Sequence, residues 1–116
     1  MKDVVFYRNR KGKSQVYDYI CTFKGKNDKN SRINWDKIHD YLNVLKYGGK
    51  SVGYPYIKYI GDRIWELRPL DNRILFFEDD DCYVLLNAFR KQTAKTPISE
   101  IDKARLFMKE YLERNK

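Results

Sequence analysis

The chain has 116 residues, 42% of them hydrophobic, and a formal net charge of +8. That is enough for one domain with one packed core, and too apolar for an intrinsically disordered segment. No apolar run approaches the roughly 20 residues of a membrane-spanning helix, and the start, M-K-D-V-V-F-Y-R-N-R, is too short and too charged for an export signal, so a cytoplasmic protein is expected.

Val4 to Tyr7 is a short β-prone run, expected as an edge strand, and it ends in the basic turn R-N-R-K-G-K. Ser14 is suited to cap a helix that carries Val16, Ile20 and Phe23 on one face and ends at Gly25. A polar turn follows. A second helix is predicted from about Ser31 to Tyr47, with Trp35, Ile38, Leu42 and Leu45 as its stripe and Gly48-Gly49 as its stop. These helices read as an αα-hairpin whose apolar faces need a sheet to cover.

The sheet is expected beyond Gly49. Tyr56 to Ile60 forms an edge strand after Pro55. Ile64 to Pro69 alternates, with Trp65 and Leu67 on one face and Ile64, Glu66 and Arg68 on the other. Leu70-Asp71-Asn72 is a tight turn, Arg73 to Glu78 returns as an apolar strand, and Asp79-Asp80-Asp81 is a solvated acidic turn. Tyr83 to Lys91 is the longest strand and the natural centre of the sheet. Thr96 is expected to cap a last helix with Pro97 at its first position, and Ile101, Ala104, Met108 and Tyr111 form its inner stripe.

Basic charge concentrates in the first 50 residues, where twelve Lys/Arg face five Asp/Glu, and again in Asn87 to Thr96, which has Arg90, Lys91 and Lys95 and no acid. Such a distribution points to a polyanionic partner. Cys21 and Cys82 lack metal-ligand spacing and read as reduced thiols in the core. His39 is the lone histidine, so a two-histidine ribonuclease is excluded, and its place in mid-helix suggests an ordinary helix residue. No metal motif or complete phosphate-binding loop is present, and no cofactor is expected.

Arg68 ends one strand and Arg73 begins the next across a short turn, so both should reach one phosphate. The alternative is a surface pairing of these arginines with Glu66 or Asp71. Lys91 shares strand parity with Asn87 and Phe89, and could neutralise charge or donate a proton. Phe89 is either a base-stacking residue or a core phenylalanine. Arg90 and Lys95 are expected to track a nucleic-acid backbone, and Lys58 to extend the basic rim or to be a plain exposed lysine. Glu66 is a base or a holder of Arg68, with the holder preferred. Tyr111, on the inner stripe of the last helix, reads as core packing.

Over residues 47–112 the chain resembles the RelE/HigB superfamily of bacterial toxin–antitoxin toxins, especially its phage Gp49-like branch. The resemblance is carried by Gly48-Gly49, Trp65-Glu66-Leu67-Arg68, the strand Arg73-Ile74-Leu75-Phe76-Phe77, the run from Asn87 through Phe89-Arg90-Lys91 to Thr96-Pro97, and Glu100-Ile101 with Ala104. The frequent histidine of that branch is Asn87 here, so no imidazole acts at that point. The resemblance implies an α+β, RelE/ParE-like fold in one domain over residues 1–116, with a small antiparallel sheet packed by the N-terminal αα-hairpin and the C-terminal helix. It also implies a metal-independent endoribonuclease that cleaves mRNA on the ribosome through the 2′-hydroxyl. A cognate antitoxin, expected to carry a helix-turn-helix domain, would neutralise it in a complex that binds operator DNA. Arg68, Arg73 and Lys91 are the catalytic candidates, and Lys58, Phe89, Arg90 and Lys95 the substrate-binding ones; similarity to superfamily members with a late tyrosine also implies Tyr111 as a candidate acid. A ParE-like gyrase inhibitor and a non-catalytic RNA-binding module are the alternatives.

Overall fold

A computed structural model describes residues 1–115. Strand β1 (Asp3–Phe6) is followed by helices α1 (Gln15–Cys21) and α2 (Lys29–Gly48) and a single 3₁₀ turn at Gly49–Val52. Strands β2 (Ile57–Gly61), β3 (Ile64–Leu67), β4 (Asn72–Glu78) and β5 (Cys82–Arg90) come next, and α3 (Ile98–Arg114) closes the chain. The five strands form one sheet in the order β1-β5-β4-β3-β2.

The sheet is mixed, where an antiparallel one was expected. β2 through β5 are antiparallel neighbours, but β1 pairs with β5 in parallel, Val4 opposite Tyr83 and Phe6 opposite Leu85. The reason is connectivity: a parallel pair needs a long crossover, and everything from α1 to β4 lies between these two strands. β1 covers only the first part of β5. Beyond it the side chain of Gln15 takes over, accepting from the Ala88 N–H at 2.6 Å and donating to the Ala88 carbonyl at 2.7 Å.

Helix α1 is shorter than its apolar spacing suggests. Ser14 does cap it, accepting from the Tyr17 N–H at 3.0 Å, but the helix stops at Cys21 and Phe23 sits in the turns beyond. Helix α2 is capped by Asp28 and ends at Gly48-Gly49. Gly49 has φ of 63°, and a Cβ there would come within 2.7 Å of the Tyr83 hydroxyl, so glycine is required twice over. Val16, Ile20, Ile38 and Leu45 from these helices pack on Leu67, Ile74, Phe76 and Leu85. The two helices contribute separately to this layer, α1 lying on β5 and α2 reaching β1.

Helix α3 covers the other face. Ala104, Phe107, Met108, Tyr111 and Leu112 pack against Ile64, Leu75, Phe77, Val84 and Leu86. A bulge helps to aim β5: Leu75 pairs with Asn87 and Phe76 with Leu85, leaving Leu86 as the extra residue. Leu86 and Asn87 therefore both turn to the α3 side, where the buried Asn87 amide donates to Glu100 Oε1 at 2.9 Å.

The last helix begins one residue later than expected. Pro97 occupies the cap position without a side-chain bond, and its carbonyl accepts from the N–H groups of Glu100 and Ile101, each at 3.1 Å. Thr96 does not cap: it lies one residue before the cap position, and its hydroxyl donates to the Glu66 carboxylate at 2.6 Å. Glu78, at the end of β4, is held by Lys2 at 2.5 Å and Lys50 at 2.7 Å. Among the described residues, no helix is long and apolar enough to cross a membrane.

Candidate nucleic-acid site at the open end of the sheet

One end of the α3-side face lies beyond the start of that helix. Strand alternation places Glu66 of β3, Arg73 of β4 and Phe89 of β5 on it, and Arg68, just past the end of β3, joins them through Glu66. Arg73 stands directly opposite Phe89, and Lys58 of β2 is opposite Glu66. The segment 91–97 folds back across this end. It is tied down by the Lys91 N–H on the Asp71 carbonyl at 2.7 Å and by Thr96 on Glu66.

Glu66 is the hub. Its side chain is only 2% exposed. One oxygen accepts from Arg68 Nη1 at 2.6 Å and lies 3.9 Å from Arg73 Nε; the other accepts from the Thr96 hydroxyl at 2.6 Å. A carboxylate so deeply buried requires cationic partners, and it has two. The holder reading of Glu66 matches this geometry, since both oxygens are engaged by the protein.

Arg73 is buried, and its Nη1 donates to the carbonyls of Leu70 at 2.7 Å and Asn72 at 2.8 Å. Leu70 adopts φ of 57°, an uncommon conformation for a bulky residue, and the turn it makes presents its carbonyl to the guanidinium. Burial pulls the Arg73 pKa below its ordinary value and the Arg68 charge adds to this, while Glu66 opposes both. A guanidinium stays cationic at neutral pH all the same. Nη1 uses two of its five N–H donors, and Nε and Nη2 carry the other three.

Lys91, Lys95 and Phe89 line the same narrow cleft as Glu66, Arg73 and Thr96. Lys91 and Lys95 are exposed, whereas Phe89 is half-buried against the α3-side core. Lys58 is exposed on the edge strand opposite Glu66 and does not line the cleft. Arg90 is not brought to the cleft. It pairs with Asn72, whose side chain donates to Asn34 at 2.8 Å and accepts from Tyr19 at 2.6 Å in the α1/α2 layer. Alternation along β5 sends Arg90 to that opposite side, where its charge acts on Tyr19.

Tyr111 lies at the far end of β5, 3.6 Å from Cys82 Sγ and edge-on to Phe77. Burial, with the Cys82 contact next, pushes its phenol up to about 12, which makes it a poor proton donor at neutral pH. His39 is on the exposed side of α2, with Nδ1 2.8 Å from the Trp35 carbonyl. Neither belongs to the arginine cluster. Two residues that do were not singled out by sequence: Thr96, because T-P reads as a helix start, and Tyr54, whose ring lies 5.4 Å from the Arg68 guanidinium.

The comparisons with known proteins agree with this architecture. No curated protein sequence matches the chain. The YoeB–YefM complex from Staphylococcus aureus contains a chain that superposes with a TM-score of 0.56 at 13% identity, over 80% of this chain and 99% of that one. The YoeB dimer from the same organism gives 0.56 at 14% identity, over 79% and 97%. At that identity the likeness establishes a common fold. The sequence itself matches the phage-derived protein Gp49-like family over residues 26–109, most of the chain and all of the cluster built around Glu66. The chain therefore belongs to the Gp49-like family, the RelE-like branch that its motifs between Gly48 and Ala104 resemble.

Proposed function

We propose that this protein is the toxin of a type II toxin–antitoxin pair and acts as a metal-independent endoribonuclease on mRNA at the translating ribosome. The observation that carries the reading is the pair Arg68 and Arg73, both anchored through Glu66 at the rim of the sheet with Lys91 beside them. A phosphodiester placed there meets two forks and an ammonium. The ribose 2′-hydroxyl gives its proton to solvent water as its oxygen attacks phosphorus, the bond to the 5′-oxygen breaks and that oxygen takes up a proton, and a 2′,3′-cyclic phosphate and a 5′-hydroxyl result. Arg68 and Arg73 stabilise the charge that builds on the non-bridging oxygens. Lys91 is suited to neutralise that charge or to protonate the departing 5′-oxygen. Phe89, Lys58 and Lys95 line the approach.

The partners in this reading are mRNA on the ribosome and a cytoplasmic antitoxin with a helix-turn-helix domain, the pair together binding operator DNA. Family membership and the shared fold with a chain of a YoeB–YefM complex support it. The test is controlled expression in bacteria, with mapping of mRNA 5′ ends and a purified translation assay. Growth arrest with new 5′-hydroxyl ends, both lost in a folded Arg68→Ala/Arg73→Ala variant, is expected. Arrest that persists in that variant and coincides with inhibited DNA supercoiling would assign the protein to gyrase inhibition instead.

A further inference from the structure

Tyr54 is 73% exposed, unusual for an aromatic ring that close to a buried ion cluster. It is not a loose side chain. The Gly53 carbonyl accepts from the N–H groups of Tyr56 at 3.0 Å and Ile57 at 3.1 Å, which closes the chain into a tight turn with Tyr54-Pro55 at its tip. The turn is joined to the arginine strand by the Arg68 N–H, which donates to the Tyr56 carbonyl at 3.0 Å. The Arg68 guanidinium lies 5.4 Å from the Tyr54 ring centre. On the other flank of the arginines stands Phe89, directly opposite Arg73. Two rings thus bracket one pair of phosphate-binding forks, and the outer one is open to solvent.

We infer that Tyr54 is a base-stacking subsite: its exposed ring receives an unstacked nucleobase of single-stranded RNA while Arg68 and Arg73 hold the neighbouring phosphate. This rests on the RNA-cleaving reading above and extends it by naming where a base sits. Aromatic rings next to cations are the usual platform for single strands, because every base offers a π-face and the cation takes the phosphate. A duplex does not fit this arrangement, since its bases are already stacked. The ring is the working part here, and the hydroxyl is dispensable.

The experiment measures binding of the full-length protein to a fluorescein-labelled 12-nucleotide RNA bearing a 2′-O-methyl group at the cut position, alongside the same RNA with a single abasic site placed there. Binding is read by anisotropy at low salt for the wild type and for Tyr54→Phe, Tyr54→Leu and Tyr54→Ala. Loss of one stacked base corresponds to about 5- to 100-fold in affinity. Tyr54→Phe should bind as the wild type, and Tyr54→Leu and Tyr54→Ala should be weaker by that factor. The abasic RNA should bind all four proteins alike. Equal binding of intact RNA by wild type and Tyr54→Ala overturns the subsite, as does Tyr54→Phe behaving like Tyr54→Ala, or wild type that binds neither RNA. Cleavage of unmodified mRNA on translating ribosomes, measured in parallel, reports on the nuclease reading alone. A preserved stacking difference without cleavage removes that reading and leaves the subsite, while cleavage without the difference does the reverse.

Discussion

Asn72 and Arg73 are neighbours in the chain, both buried at the start of β4, and they point to opposite faces of the sheet. Asn72 enters a closed neutral network with Tyr19, Asn34 and the Pro69 carbonyl. Arg73 enters a charged one with Glu66 and Arg68, which opens onto a cleft flanked by lysines. The first network joins the helical layer to the end of the sheet and leaves nothing for a ligand. The second holds more cationic than anionic groups, a surplus that the proposed phosphodiester would meet. The difference teaches that burial of a polar group at this end of the molecule has two meanings, told apart by whether its partners exhaust it.

The largest effect that would break this contrast is on activity. Arg73→Ala should lower mRNA cleavage on ribosomes by about 100-fold or more, as removal of a charge-stabilising donor does, while circular dichroism remains native. Asn72→Ala should leave the cleavage rate of the folded protein within about threefold and instead lower unfolding stability by about 1–3 kcal/mol, because Tyr19 and Asn34 lose their buried partner. Urea denaturation of both variants beside the cleavage assay checks the pair. A reversal, with activity following Asn72 and stability alone following Arg73, would sink the distinction.

Thr96→Val sharpens it further. The substitution keeps the shape and removes the hydroxyl that ties segment 91–97 to Glu66. A loss of about 1.5–3 kcal/mol is expected from a hydrogen bond to a charged acceptor. Faster backbone exchange should be confined to residues 91–97, as hydrogen–deuterium exchange can show.

The smallest effect concerns pH, at the far end of β4. Hydrogen bonds from Lys2 and Lys50 hold the Glu78 carboxyl below its ordinary value of 4.5. A depressed carboxyl stabilises the fold above its unfolded pKa and loses that contribution as pH falls through the folded one. Thermal stability measured downward from pH 7 should therefore fall below about pH 4.5 less steeply in Glu78→Gln than in the wild type. Identical profiles would show that this half-exposed cluster contributes nothing.

Much of the candidate site was legible in the strand pattern. A period of two put Glu66 and Arg68 together against Trp65 and Leu67, and the short turn after Pro69 returned Arg73 beside them. The same period separates Arg90 from Phe89 and Lys91, so its place on the opposite face follows from a rule that its positive charge obscured. Thr96 was hidden because T-P satisfies a helix-start pattern equally well, and only the folded chain brings a carboxylate 30 residues away to its hydroxyl. Tyr54 was one of ten tyrosines until the turn at Gly53 placed it against Arg68.

Sequence alone determined the element types, the faces of β3 and β4, the stop of α2 and the arginine pair, because each depends on contacts within a few residues. Tertiary structure decided the parallel pairing of β1, the start of α3, the anchoring of Glu66 and the exposure of Tyr54. These depend on groups far apart in the chain, whose meeting no local pattern records, and it is their meeting that turns a basic strand end into a cleft.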